Sequence, residues 1–222
     1  MLHKTRGIVF RFTKYGDTSI IVTIFTELFG LQTYIVNGVR SSSAKSKIAL
    51  YQPLTLLDLV VYHKENANIL RIKEVKCFHP YSTLHQDVKK STMAMFINEL
   101  INKTVKDESH ASELHGFISS SLVSLDEASS NYENFHLIFL IKLSRLLGFG
   151  IHHANEILAN READEKITTL LNQLIDKEYF DPVTMTIAQR RTILDLLLKF
   201  FHTHIDTMGE IKSVAVLKEV LS

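Results

Sequence analysis

Residues 30–62 read GLQTYIVNGVRSSSAKSKIALYQPLTLLDLVVY, and this stretch decides the fold of the N-terminal part of the chain. In its first piece, residues 31–36, successive side chains alternate between two faces. Leu31, Thr33 and Ile35 share one face of an extended chain, and the residues between them share the other face. This period of two is the side-chain layout of a β-strand.

A turn and a polar loop come after this strand. Asn37-Gly38 is a turn signal because both residues tolerate positive φ at little cost. Residues 39–47 then place three cations among small polar residues that have almost nothing to bury. Pro53 opens a second strand, residues 54–62, which is too apolar for an exposed edge and too short for a membrane helix. The stretch therefore predicts a rigid sheet that presents a basic loop to solvent, a common way to offer a surface to a polyanion.

The N-terminal eighty residues contain five apolar or alternating segments with turn signals between them. In the first segment, Ile8, Phe10 and Phe12 are expected on one face, opposite Val9 and Arg11. The second segment, residues 18–27, carries apolar side chains on both faces, so both faces are expected to be covered. Closure of such a sheet removes its exposed edges, so the pattern favours a small barrel over an open sheet. The five-stranded OB-fold is the leading candidate, and a five-stranded SH3-like barrel gives nearly the same pattern. The predicted strands are 5–12, 18–27, 31–36, 54–62 and 69–76.

The remainder of the chain is predicted to be helical, with His79-Pro80 at the boundary. Residues 135–147 are apolar almost all round and are expected at the centre of a helix bundle. Thr186 and Gln189 have the spacing of a capping box. The fold class is thus α+β with two domains, an OB-fold barrel over 1–80 and an all-α domain over 81–222. The predicted helices are 86–105, 114–125, 135–147, 164–177, 186–205 and 212–221.

Charge is distributed unevenly between these two parts. The whole chain of 222 residues carries a formal net charge of +1. Residues 1–80 contain eleven Lys and Arg against five Asp and Glu, a net charge of +6, whereas residues 81–222 contain fourteen against nineteen, a net charge of −5. This asymmetry predicts two units with different electrostatic roles.

Several classes of function are disfavoured by the composition. Cys77 is the only cysteine, which rules out an internal disulfide and a cysteine zinc site and favours a reduced, cytoplasmic setting. Residues 1–7 lack the apolar stretch of a signal peptide, and the densest apolar run, 137–143, is far shorter than a membrane span. Phosphate-loop, dinucleotide and nucleophile-elbow motifs are absent, so we predict no cofactor and no catalytic residue.

Histidine pairs are the remaining metal candidates. His152 and His153 are adjacent, and His202 and His204 are two residues apart. Side chains at these spacings point to different sides of a helix, so neither pair can chelate an ion from a regular helix. Surface or capping roles are expected for all four.

The basic residues of the N-terminal part form the candidate binding set. A single charge run is usually only a solvated surface, but here the excess is confined to a predicted OB-fold, a module that follows a nucleic-acid backbone with positive charge and stacks bases on aromatic rings. Tyr15, Tyr34 and Tyr51 are the aromatic candidates, and Tyr34 is expected to be packed because it alternates with core residues. The predicted DNA-binding residues are Arg11, Lys14, Arg40, Lys45, Lys47, Arg71 and Lys73.

The order of motifs along nearly the whole chain resembles the RecO family of bacterial recombination mediators. The resemblance implies an OB-fold that binds single- and double-stranded DNA, a helical C-terminal domain and a place at the nucleoid. It also implies strand annealing and the loading of RecA together with RecR and the single-stranded-DNA-binding protein. The segments that carry it are Gly7-Ile8-Val9 with Arg11, Tyr15-Gly16-Asp17, Ile21-Val22-Thr23 with Phe25-Thr26, Gly30 through Arg40, Leu50-Tyr51-Gln52-Pro53-Leu54, Leu146 to Gly150 and Ile211-Lys212-Ser213.

Two further expectations come with this resemblance. Many family members carry a four-cysteine zinc site after the Gly-Phe-Gly segment, but residues 151–181 contain no cysteine here, so we expect no zinc. Lys142, Arg145 and Lys199 interrupt apolar helices. They either extend to the surface along their aliphatic stems or, as the resemblance implies for this domain, receive the acidic, hydrophobic tail of the single-stranded-DNA-binding protein.

A second function class stays open at this point. The barrel of an interaction scaffold could bind an acidic protein with the same cations. DNA binding weakens steeply with salt whatever the base sequence, so a salt titration distinguishes the two classes.

Overall fold

The computed structural model describes residues 1–40, 45–65, 67–106, 110–158 and 164–221, and for Lys45 and Ser46 it describes the backbone alone. Within these residues, five strands form the N-terminal part of the chain. They are β1 (Leu2–Tyr15), β2 (Ser19–Thr26), β3 (Gly30–Val36), β4 (Leu56–Tyr62) and β5 (Leu70–Cys77).

The five strands close into a barrel in the order β1-β2-β3-β5-β4, with β4 paired to β1. All neighbouring strands are antiparallel except β3 and β5, which run parallel and meet at Ile35 and Arg71. A parallel pair between the third and fifth strands is a feature of the OB-fold and is absent from the antiparallel SH3-like barrel. The predicted OB-fold is therefore confirmed, and the SH3-like alternative is not.

A β-bulge in β1 corrects one prediction. The register between β1 and β2 shifts between Val9 and Arg11, so that Phe10 is the extra residue. Phe12 consequently pairs with Val22 and packs on the same core cluster as Val9. The expectation that Phe12 shares a face with Phe10 is wrong, because a bulge shifts the alternation by one residue.

The interior of the barrel is filled by alternate side chains of every strand. At one point β1 has no room for a side chain, because a Cβ atom on Gly7 would lie 2.6 Å from Ile24 Cγ2 and 2.8 Å from Leu59 Cδ1. Glycine is therefore required there by the close packing of the interior. The buried core residues are Val9, Ile20, Val22, Ile24, Tyr34, Val39, Tyr51, Leu57, Leu59, Val61 and Leu70.

The connection from β3 to β4 contains structure that the sequence did not predict. A short helix, α1 (Lys45–Ala49), lies within the expected loop, and residues 41–44 of that loop are outside the described residues. Before β4, Leu54 adopts a left-handed backbone conformation with φ of 67°. Two hydrogen bonds hold it there: Leu54 N donates to Val9 O at 2.7 Å, and the Tyr81 hydroxyl donates to Leu54 O at 2.8 Å. The first of these bonds joins the β3–β4 connection to β1.

The C-terminal part is helical, as predicted. α4 is buried along almost its whole length, and the capping box at Thr186 and Gln189 is present at the start of α7. Gly148 comes after α4 with φ of +86°, a conformation that favours glycine at the end of a helix. The helices are α2 (Val88–Thr104), α3 (Ala111–Glu127), α4 (Phe135–Leu146), α5 (Ala154–Leu158), α6 (Glu165–Ile175), α7 (Ile187–His204) and α8 (Ser213–Val220).

A buried polar network fixes the start of this helical part. The Asp126 carboxylate accepts hydrogen bonds from the backbone N–H groups of residues 82–84 at 2.7–3.1 Å. The Lys90 ammonium, only 3% exposed, donates to Thr83 Oγ1 and to the carbonyl oxygens of Asp126 and Ala128 at 2.6–2.8 Å. Each buried charge is thus matched by several hydrogen bonds, as burial of a charge demands.

The backbone divides into two compact units. One comprises Met1–Tyr81 with Lys106–Val123, and the other comprises Ser82–Val105 with Ser124–Ser222. We call them the barrel unit and the helical unit. The first part of α3 thus groups with the barrel, whereas the predicted domains were 1–80 and 81–222. That these two ranges fold as separate domains stays a prediction.

The packing at Gly7 generates a test of the barrel. We expect Gly7→Ala to lower the free energy of unfolding by about 1–3 kcal/mol, because the added methyl group overpacks the interior. Gly116→Ala is the matched control, since Gly116 lies in the exposed part of α3 with no atom near its Cβ position. Thermal unfolding followed by circular dichroism is the measurement. An unaltered melting temperature in Gly7→Ala would contradict the packing described here.

Candidate nucleic-acid interface

The outward side chains of four strands line up in rows across the barrel. Thr13, Ile21, Ile35 and Arg71 are successive Cα partners on β1, β2, β3 and β5. Side chains opposite one another in a sheet lie on the same face. We call the surface formed by this row and its neighbour the outer face. The neighbouring row is Arg11, Thr23 and Thr33.

The bulge in β1 is what brings Arg11 to the outer face. Without the extra residue at Phe10, the alternation of β1 would direct Arg11 to the same side as Val9, which is fully buried in the core. With the bulge, Arg11 pairs with Thr23 and is exposed. Bulges commonly redirect a side chain in this way at functional surfaces.

The described cations of the predicted set are accessible to a ligand. Arg11, Lys14, Lys47, Arg71 and Lys73 are at least partly exposed. Lys73 Nζ lies 3.7 Å from Glu74 Oε1, but both side chains are about half exposed, so water screens this pair strongly. The Lys45 side chain lies outside the described residues, so its predicted role stays a prediction.

Arg40 is held against the loop between β1 and β2. Its backbone N–H donates to Thr18 O at 3.0 Å, and its guanidinium Nη1 donates to Gly16 O at 2.9 Å. The second bond uses one of the five guanidinium N–H groups. Arg40 therefore joins the β1–β2 and β3–β4 loops and places its charge beside the Tyr15-Gly16-Asp17 turn.

Of the three aromatic candidates, only Tyr15 lies at the surface, with 53% of its surface exposed. Tyr34 and Tyr51 are buried in the barrel core, as expected for Tyr34. Burial raises the pKa of the Tyr34 phenol, and it raises the pKa of Tyr51 to about 12. Neither ring can stack on a ligand.

Comparison with known proteins agrees with this architecture. A family model described as "Recombination protein O N terminal" matches residues 1–81, and one described as "Recombination protein O C terminal" matches residues 85–168. The chain belongs to the RecO family. Three relatives named "DNA repair protein RecO" each match over 99% of both chains. They come from Flavobacterium psychrophilum at 34% identity, Flavobacterium johnsoniae at 31% and Bacteroides fragilis at 31%.

In this RecO chain, two of the three predicted peptide-binding cations contact other groups of the helical unit. Lys142 Nζ lies 2.5 Å from Glu178 Oε2 and 5.3 Å from the centre of the Tyr179 ring. Arg145 donates to the carbonyl oxygens of Ile151 and Ile175 at 3.3 and 3.1 Å. These contacts give Arg145 a role in packing, since it satisfies the C-terminal end of α6.

Lys199 is the third of these cations and is exposed on α7. Among the described residues it makes no ion pair with an acidic side chain. Of the three, Lys199 is therefore the one most available to an acidic peptide.

The histidines do not assemble into a metal centre in the described ranges. The backbone N–H groups of His152 and His153 both donate to Glu156 Oε2, and the His204 ring stacks on Phe149 with centroids 4.9 Å apart. The described part of the chain contains no group of three His, Cys, Asp or Glu side chains that could hold a metal ion. With a single cysteine, these residues do not fit the zinc site of many RecO proteins.

Helices long and apolar enough to cross a membrane are likewise missing from the described ranges.

Sequence reasoning missed the apolar part of the outer face. Ile21 and Ile35 are partly exposed between the cations, although both faces of β2 were expected to be covered. Phe25, at the other end of β2, is buried, so the expectation that both faces are covered is correct for that end of the strand. Exposed Tyr62 on β4 was not selected either, because its position beside Arg71 comes from strand register rather than from sequence proximity.

Proposed function

We propose that this chain is a DNA-binding mediator of homologous recombination and DNA repair, and that the outer face of its barrel holds the DNA. The observation that carries the proposal is the outer face itself. Exposed cations flank hydroxyl and apolar side chains on a closed OB-fold barrel, in a chain whose relatives are named for DNA repair.

The proposed binding mode is electrostatic and independent of base sequence. Arg11, Arg40, Lys47, Arg71 and Lys73 contact phosphates. The exposed or partly exposed side chains between them contact sugars and bases, namely Thr13, Thr33, Ile21 and Ile35. Single and double strands both offer phosphates to these cations, so both bind. A surface that neutralises two backbones at once lowers the repulsion between complementary strands, which is the physical basis of annealing.

The partner proteins that we propose are those implied by membership of the RecO family. We infer that the chain acts at the nucleoid in the cytoplasm with RecR, and that it helps load RecA onto strands covered by the single-stranded-DNA-binding protein. Binding of that protein's acidic tail is assigned to the helical unit, where Lys199 is the candidate cation that is exposed and makes no ion pair among the described residues. No step in this scheme makes or breaks a covalent bond, so the chain acts as a mediator and not as an enzyme.

Removal of cations from the outer face tests the proposal. We expect the triple variant Lys47→Gln, Arg71→Gln and Lys73→Gln to bind single-stranded DNA more weakly, and the log–log salt slope of its affinity to flatten by about 2, because each lost phosphate contact contributes about 0.7. Duplex affinity falls as well. The measurement is a titration of labelled strands at several salt concentrations.

Two exposed lysines of the helical unit supply the matched control. Lys89→Gln with Lys166→Gln removes surface cations without touching the outer face, and is expected to retain the wild-type slope. A triple variant that is folded and keeps its affinity and slope would contradict the proposal. Wild-type protein that binds an acidic protein but no DNA would instead support the scaffold function.

Lys199 gives the test for the tail-binding site. We expect Lys199→Glu to weaken binding of the acidic tail peptide several-fold, since reversal of an exposed charge at the rim of an interface costs about 1 kcal/mol. Lys166→Glu on α6 is the control, and fluorescence anisotropy of a labelled peptide is the measurement. If Lys142→Glu, Arg145→Glu and Lys199→Glu all bind the peptide as wild type does, the site lies elsewhere.

A further inference from the structure

We propose that Tyr62 is a stacking platform for an unpaired base on the barrel. This inference deepens the proposed function and rests on it, because it assigns the recognition of single-stranded DNA to one side chain. Tyr62 is the last residue of β4, and 48% of its surface is exposed. The preceding residue, Val61, is fully buried in the core, so the alternation of the strand directs the Tyr62 ring outward.

Strand register places Tyr62 on the row that defines the outer face. Its Cα partner on β5 is Arg71, and its Cα partner on β1 is Leu2. The row that begins with Thr13, Ile21 and Ile35 therefore continues through Arg71 to Tyr62. Neighbouring Cα atoms in such a row are about 5 Å apart, so the Tyr62 ring and the Arg71 guanidinium reach the same stretch of a bound strand.

The surroundings of the ring suit a flat apolar ligand. Leu2, the first residue of β1, is exposed to 44%, and Ile69, which directly precedes β5, is exposed to 49%. Among the described residues, the Tyr62 ring stacks on no other aromatic side chain and no cation lies over it. An aromatic ring that is half exposed and has no stacking partner, in a patch of apolar side chains, is available to a second π-system.

Charge favours a nucleic-acid strand over a protein as the occupant. Residues 1–80 have a net charge of +6. Arg71 is the Cα partner of Tyr62 across the β4–β5 pair, and Lys73 follows Arg71 two positions further along β5. A base on the Tyr62 ring places its own phosphate within reach of these cations. Every base has a π-face, so the contact tolerates any sequence.

The platform distinguishes single strands from duplexes. In a duplex the bases stack on one another, so their faces are not accessible to the tyrosine. A duplex therefore contacts only the cations. In a single strand a base can leave its neighbours and cover the tyrosine. The cations of the outer face thus bind both forms of DNA, and Tyr62 adds affinity for the single strand alone.

The absence of tryptophan from the chain permits a direct optical test. Tyr62→Trp introduces a single reporter, and we expect its fluorescence to be quenched when an oligo-dT strand is added. An abasic strand with the same phosphates, or a duplex, is expected to bind with little quenching. Leu28→Trp is the control, because Leu28 is as exposed as Tyr62 but lies at the β2–β3 turn. Equal quenching by the oligo-dT and abasic strands would overturn the platform.

Affinity measurements complete the test. Tyr62→Ala is expected to lose about fivefold to a hundredfold in affinity for oligo-dT, the range that corresponds to removing one base–aromatic stack. Tyr62→Phe retains the ring and is expected to stay within about twofold of wild type, since stacking uses the π-face and not the hydroxyl. Duplex and abasic-strand affinities are expected to be unchanged in both variants.

The outcomes separate this inference from the proposed function. If Tyr62→Ala binds oligo-dT as wild type does while the triple cation variant is impaired, the platform is wrong and the DNA-binding face stands. If Tyr62→Ala leaves DNA binding intact but weakens binding of RecR, the ring is a protein contact, which also overturns the platform. If wild-type protein binds no DNA, the proposed function itself fails.

Discussion

Closure of the barrel through the parallel β3–β5 pair is the constraint on which the proposed binding surface depends. Because β5 lies next to β3, Arg71 becomes the neighbour of Ile35 although 36 positions separate them in sequence. Closure also brings β4 against β1, so that Tyr62 and Leu2 join the same row. The strand register thus links Arg11 on β1 to Arg71 on β5 through the outward rows of β2 and β3. The bulge at Phe10 completes the surface by directing Arg11 away from the core.

The charged residues of the two parts of the chain lie in different surroundings. Residues 1–80 carry a net charge of +6, and most of their described cations are exposed. In the helical unit the principal buried charges are matched internally: Asp126 binds backbone N–H groups, and Lys90 caps carbonyl oxygens. These two buried charges hold the backbone of the helical unit, whereas Arg11, Lys14 and Arg71 of the barrel are exposed.

Features with a local signal could be predicted from the sequence. The strand alternation of residues 31–36 and the capping box at Thr186 depend only on residues close together in sequence, and both are present in the structure. The short helices α1 and α5 were missed because five residues are too few to show helical periodicity. The bulge at Phe10 was missed because an extra residue reverses the faces of the later strand residues without a change in composition. Glu178, the partner of Lys142, lies 36 residues away, and Ile175, one of the two partners of Arg145, lies 30 residues away. Strand register likewise puts Tyr62 beside Arg71, and such relations arise only once the chain is folded.

The most direct measurement of the central claim is a titration of isoleucine-methyl-labelled protein with oligo-dT, monitored by NMR. Isoleucines sample every part of the molecule: Ile21, Ile35 and Ile69 lie on or beside the outer face, Ile20 and Ile24 fill the barrel, and Ile187 is exposed in the helical unit. The account predicts that the methyl signals of Ile21, Ile35 and Ile69 shift most, that those of Ile20 and Ile24 shift little, and that Ile187 is unaffected. The largest shifts at Ile187 and other helical-unit isoleucines, with Ile21 and Ile35 unchanged, would contradict it.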